Sequence, residues 1–163
     1  RISTEVARIA QAFSMRVIGY DPYVDQKSYG NPDIEFVDLK NLFSSSDYIS
    51  IHAPLNNDTK HLINREAISQ MKEGVNIICA ARGGIIDEIA LMDNIESGRI
   101  AGVALDVFET EPPTNSKLIE HNNVIVTPHI GAQTVEAQIR ASVDISEEVI
   151  AALTREELRW RIV

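Results

Sequence analysis

Three residues spread along this chain carry side chains that together could run a redox reaction on a small acid. They are Arg82 in ICAARGGIIDE, Glu111 in ALDVFETEPP and His129 in VTPHIGAQT. Arginine is a permanent planar cation whose fork of N–H donors matches a carboxylate. Histidine gives or takes a proton near neutral pH, and a neighbouring glutamate can hold the imidazole and favour its protonated form. Each of the three stands where a strand-like run ends: VNIICAA before Arg82, IAGVALDVF before Glu111, NVIVTPH up to His129. Ligands of open α/β sheets collect at the carboxyl ends of strands, so three such residues at three strand ends can converge in one cleft. Glu109 lies two residues before Glu111, and the residues alone leave either acid open for the role.

Other positions read less sharply. Asp21 ends the strand-like RVIGYD and is followed by Pro22; an acid there either hydrogen-bonds a nucleotide ribose or merely starts a turn. His52 in SIHAPL lies at another strand end and could line a cofactor cleft, whereas His61 and His121 sit in polar stretches and read as solvent-facing. Cys79, among Ile77, Ile78 and Ala80, reads as a small buried apolar residue. The histidines are scattered singly, so no metal site is expected.

The elements that must position these residues alternate. RISTEVARIAQAF carries Ile2, Val6, Ile9, Ala10 and Phe13 at helical spacing, with Ser3 or Thr4 as its cap. After RVIGYD come a short strand IEFV, a short helix VDLKNLFSSS with Leu39, Leu42 and Phe43 inward, and the strand YISIHAPL. A helix REAISQMKEG closed by Gly74 follows, then VNIICAA, the helix DEIALMDNIESG, IAGVALDVF, a Pro-bearing loop, and NVIVTPH. A long helix runs from about Thr134 to Leu153, and EELRWRIV reads as a final strand. Strands alternating with helices predict a parallel sheet covered on both faces.

The 163 residues, 44% apolar, suffice for one domain's core. A net charge of −9 argues against a nucleic-acid partner. The single cysteine fits a reducing compartment, and no apolar run is long enough to span a bilayer. The cytoplasm is the expected location, with no membrane partner.

The words YDP, ARGGIIDE, DVFETEPP and TPHIG, in this order, resemble the D-isomer-specific 2-hydroxyacid dehydrogenases, from Arg1 to about Ile150. Within them, PHIGAQTVEAQ looks most like the D-3-phosphoglycerate dehydrogenases. The resemblance implies a Rossmann-type doubly wound parallel sheet and NAD as cofactor. It implies hydride transfer to or from a D-2-hydroxy acid, here 3-phosphoglycerate, with Arg82, Glu111 and His129 catalytic. It selects Glu111 over Glu109, because the family's acid immediately precedes the proline. The implied cofactor contacts are Arg1, Ile2, Asp21, His52, Pro54, Thr59, Ala80, Arg82, Asp106 and His129, with Asp106 holding the nicotinamide carboxamide. Arg1-Ile2-Ser3 matches the end of the family's G-x-G-R-I-G turn, with Ser3 in place of the last glycine.

On this reading residues 1–131 are a dinucleotide-binding domain lacking its first strand and glycine turn. Residues 132–163 are a return helix and a tail, and that tail departs from the family's GxxPxNxVN ending. The sheet would then have unpaired edges, and the chain alone would show no dehydrogenase activity. The whole protein would pair as a homodimer through this domain. Two alternatives stay open: a dinucleotide-regulated corepressor-like scaffold of the same fold, and a fragment that only binds NAD.

Overall fold

The computed structural model describes residues 2–24, 34–114 and 117–160. The chain forms two compact units, Arg1–Pro128 and His129–Val163. In the first, helix α1 (Ile2–Ala12) leads into β1 (Val17–Gly19), which pairs in parallel with β2 (Ile34–Phe36). A second, four-stranded parallel sheet holds β3 (Tyr48–Ile51), β4 (Val75–Cys79), β5 (Ile100–Leu105) and β6 (Val124–Val126) in that order. Helices α2 (Leu39–Ser45), α3 (Arg65–Gln70) and α4 (Glu88–Glu96) make the crossovers, and a 3-10 turn Lys117–Glu120 precedes β6. The expected parallel α/β architecture is present, but as two ladders. Among the described residues β1 bonds only to β2 and β3 only to β4.

The core follows from the apolar, β-branched runs. Val75, Ile77 and Cys79 of β4 are fully buried on one face and share a single core cluster with Ile68 of α3 and Leu91 and Ile95 of α4. Each such isoleucine or leucine withdrawn from water contributes about 1.5–3 kcal/mol. Phe43 is buried, and Leu39 and Leu42 pack partly against the core, as their spacing predicts. Side-chain caps start the helices. Asp38, Asn64 and Asp87 accept backbone N–H bonds from Asn41, Ala67, and both Ile89 and Ala90. Arg99 closes the other end of α3 by donating to the carbonyls of Ile68, Ser69 and Met71 at 3.1, 2.7 and 2.9 Å.

Three expectations are corrected. Gly74 does not terminate α3. Met71 already turns extended with its N–H on the Ile68 carbonyl, and Gly74 (φ +78°) makes the following turn, with its N–H on the Arg99 carbonyl. Neither Ser3 nor Thr4 caps α1, because the helix already begins at Ile2 and both lie within it; its apolar stripe is mostly exposed, with Ala7 its one buried residue.

The third concerns the second unit, where α5 (Val135–Thr154) is capped by Thr134 and ends at Arg155, which adopts left-handed geometry (φ 60°). Residues 156–160 form no strand, and 161–163 lie outside the described residues. The Glu156 N–H returns to the Ala151 carbonyl, and Arg159 folds back onto Glu147 and Glu148. Once the chain reverses at Arg155, these contacts hold the tail on its own helix. Among the described residues no helix is long and apolar enough to cross a membrane.

Candidate active site at the carboxyl ends of the strands

Parallel pairing directs every strand of the four-stranded sheet the same way, so the loops after β3, β4 and β5 gather at one edge. The loop after β3 contains His52, Pro54 and Thr59. Pro54 and Thr59 meet directly, since the threonine hydroxyl donates to the Pro54 carbonyl at 2.6 Å. Asn56 closes the same turn by accepting the Asp58 and Thr59 amides. His52 lies 2.9 Å from the Ser50 hydroxyl through Nε2, and partial desolvation lowers its pKa, favouring the neutral ring.

After β4 come Ala80 and Arg82. Arg82 is exposed and donates to the adjacent Ala81 carbonyl at 2.7 Å. Beneath it Cys79 is buried, with its thiol on the Arg82 carbonyl, and burial pushes the thiol's pKa up. An inert structural cysteine is what its neighbours predict.

The loop after β5 begins with Asp106, which is buried. Its N–H donates to the Cys79 carbonyl at 3.0 Å, and its carboxylate accepts the Thr127 hydroxyl at 2.5 Å. Val107 and Phe108 are buried beside it. The Glu111 carboxylate accepts the Phe108 N–H at 3.1 Å, and the Glu111–Pro112 bond is cis. One contact joins this loop to the Arg82 turn. A Cβ at Gly83 would lie 1.8 Å from the Phe108 carbonyl oxygen, so only glycine lets the two backbones approach so closely. Arg82 and Glu111 are therefore carried on two loops locked together at their bases.

Asp21 stands apart, at the end of the two-stranded sheet. Its carboxylate accepts the Tyr23 N–H at 2.9 Å, so the turn reading is correct. It also lines a cavity of about 370 Å³, walled by Tyr20, Pro22, Val24, Phe36 and Val37 and edged by Asp38. The Tyr20 and Phe36 rings can face a base, and the Asp21 carboxylate beside them suits ribose hydroxyls. The residues present thus fit the adenosine half of a dinucleotide. Ile2 opens α1, while Arg1 lies outside the described residues. His129 begins the second unit, with a positive φ of 54°.

Two histidines expected to face solvent are partly exposed and also make polar contacts. His61 Nε2 lies 3.1 Å from a Glu109 carboxylate oxygen, and the ring of His121 accepts the Asn123 N–H at 3.1 Å. Sequence reasoning missed the His61–Glu109 contact. The partners are 48 residues apart, and only the position of their loops after β3 and β5, two strands of one parallel sheet, hinted at it.

Residues 1–131 match the family described as D-isomer specific 2-hydroxyacid dehydrogenase, NAD binding domain. The chain is 48% identical over 155 residues to a hydroxypyruvate reductase of Thermotoga maritima, covering 93% of this chain and 50% of that protein. It is 45% identical over 150 residues to a D-3-phosphoglycerate dehydrogenase of Bacillus subtilis, covering 92% of this chain and 29% of that protein. A solved glyoxylate reductase from Paecilomyes thermophila is similar with a TM-score of 0.93 at 34% identity, over 99% of this chain and 49% of that one. The chain spans half or less of the length of these relatives.

The Gly83 contact yields a test. Gly83→Ala forces the Phe108 backbone away and should lower stability by about 1–3 kcal/mol. Gly98→Ala, at φ +76° in open space, should cost about 1–2 kcal/mol through backbone strain alone. Amide exchange in segments 80–84 and 106–109 should accelerate in the first variant only. Equal exchange in both would contradict the contact.

Proposed function

Since this chain belongs to the D-isomer-specific 2-hydroxyacid dehydrogenase family, as its NAD-binding domain, we propose that the whole protein interconverts a D-2-hydroxy acid and its 2-keto acid. The observation that carries this reading is the lock between the Arg82 turn and the Glu111 loop at the strand ends. NAD, when bound, accepts the hydride in oxidation and NADH returns it in reduction. Asp21 and the side chains lining the cavity beside it would hold the adenosine, and His52, Pro54, Thr59, Ala80 and Asp106 would line the path towards the nicotinamide. The guanidinium of Arg82 grips the substrate carboxylate and stabilises negative charge on the reacting oxygen. His129 takes the hydroxyl proton as the carbon loses hydride, and gives it back in the reverse direction. Glu111 is read as the acid that assists this proton transfer.

The finer substrate is 3-phosphoglycerate, oxidised to 3-phosphohydroxypyruvate on the way to serine, in the cytoplasm. The similarity to a D-3-phosphoglycerate dehydrogenase supports it, while that to a hydroxypyruvate reductase favours the unphosphorylated acid as the second reading. Steady-state assay of the full-length protein on both acids separates them.

The whole protein is further read as a homodimer through this domain. Helix α5 buries none of its residues and exposes Val135, Ile139, Val143, Ile145, Val149 and Ile150, more apolar surface than one inner stripe needs.

Three outcomes are expected of the full-length protein. NAD should be preferred over NADP, and Asp21→Asn should narrow that preference roughly ten-fold by removing like-charge repulsion of the 2′-phosphate; equal use of both cofactors by the unaltered protein contradicts the role of Asp21. His129→Ala should lower kcat about a hundred- to ten-thousand-fold with little change in NAD affinity, and near-normal turnover removes His129 from proton transfer. Sedimentation at low micromolar concentration should give a dimer; a clean monomer would mean that the apolar surface of α5 is covered within one subunit.

A further inference from the structure

Glu109, rejected above as the histidine's partner, occupies a well-defined position of its own. Its carboxylate lies 3.1 Å from His61 Nε2 and accepts the Glu88 N–H at 3.5 Å. In return the Glu109 N–H donates to the Glu88 carboxylate at 2.7 Å. Glu88 is the first residue of α4, directly after its cap Asp87, so the Glu109 charge sits where a helix start stabilises an anion. His61 is tied in turn to the Arg82 turn, because its N–H donates to the Gly84 carbonyl at 2.9 Å. One acid thus joins the loops that follow β3, β4 and β5.

The arrangement places two carboxyl groups side by side. Burial, together with the nearby Glu109 charge, raises the Glu88 carboxyl's pKa, and the bond from the Glu109 amide only partly offsets this. Two acids are held together against their repulsion by reciprocal backbone bonds. What the contact secures is the stretch just before Glu111. Asp106 is fixed to β4 and Thr127, and Phe108 lies against Gly83. Beyond Glu109, Thr110 is exposed, and the Glu111 carboxylate accepts an N–H of its own loop.

We propose that Glu109 is a positioning residue: through His61 and the start of α4 it fixes the loop that presents Glu111, and so sets where that carboxylate stands. The proposal rests on the reading of Glu111 given above.

The experiment compares Glu109→Ala, Glu109→Gln, His61→Ala and Glu111→Ala in the full-length protein, with kcat normalised to bound NAD. Displacing a catalytic group by about 1 Å costs on the order of a hundred-fold. Glu109→Ala should therefore lose about ten- to a hundred-fold in kcat while KM for NAD changes less than about two-fold. Glu109→Gln, whose side-chain oxygen accepts the same bonds, should recover most of that loss. Near-normal kcat in Glu109→Ala beside an impaired Glu111→Ala overturns the positioning role and leaves the reading of Glu111 intact. Near-normal kcat in both overturns that reading and the positioning role with it. If Glu109→Ala fails to fold, His61→Ala, which removes one bond at a half-exposed ring, decides the matter. An intermediate loss of kcat at constant KM supports the proposal, and an unaltered kcat overturns it.

Discussion

Parallel pairing from β3 through β6 is the constraint on which the rest of this structure depends. A parallel ladder cannot be closed by a hairpin, so each strand must be followed by a crossover that returns the chain to the opposite edge. The consequences are spatial. Every crossover begins at the same side of the sheet, and the residues just past Ile51, Cys79 and Leu105 become neighbours although they lie 28 and 26 positions apart in the chain. The isoleucines and valines of β4 and β5 make this arrangement favourable by burying the sheet beneath α3 and α4. The polar residues at the strand ends inherit their proximity from that burial. Their own hydrogen bonds refine it.

Refinement here means backbone contact more than side-chain pairing. Gly83 touches the Phe108 carbonyl, the Asp106 amide bonds the Cys79 carbonyl, and Glu88 and Glu109 exchange amide bonds. Backbone groups have few degrees of freedom left once a strand is fixed, so these contacts transmit the geometry of the sheet to the exposed side chains with little slack. Arg82 and Glu111 take their placement from these supports, and each also bonds within its own loop, Arg82 to the Ala81 carbonyl and Glu111 to the Phe108 N–H.

Much of this was legible in the amino-acid order because local signals agreed with one another. Asp38, Asn64, Asp87 and Thr134 each stand one residue before a helix and accept its first free amides. The runs VNIIC and IAGVAL announced strands by their continuous apolar character, but the structure fully buries only alternate residues, so the cover expected on both faces is complete on one. The strand ends that carry Arg82 and Asp106, and the loop that carries Glu111, were readable from their words. What escaped notice lay in contacts between distant loops: Gly83 with Phe108, and His61 with Glu109. No spacing rule links residues 25 or 48 positions apart. The tail was misread for another reason. EELRW has the composition of an edge strand, but Arg155 reverses the chain in left-handed geometry, and Arg159 then finds acids on α5. The apolar stripe of α1 correctly announced a helix, yet periodicity reports only which face could be buried, and here that face is largely open.

The burial of Cys79 has a consequence of a different kind. Its sulfur lies in the middle strand-to-loop junction, enclosed by the core and carrying a raised pKa, so a thiol reagent in solution meets it only when β4 parts from β5 or the Arg82 turn lifts away. The chain has one thiol. Its rate of chemical labelling is consequently a clock, started and stopped from outside, that counts the openings of the junction beneath Arg82.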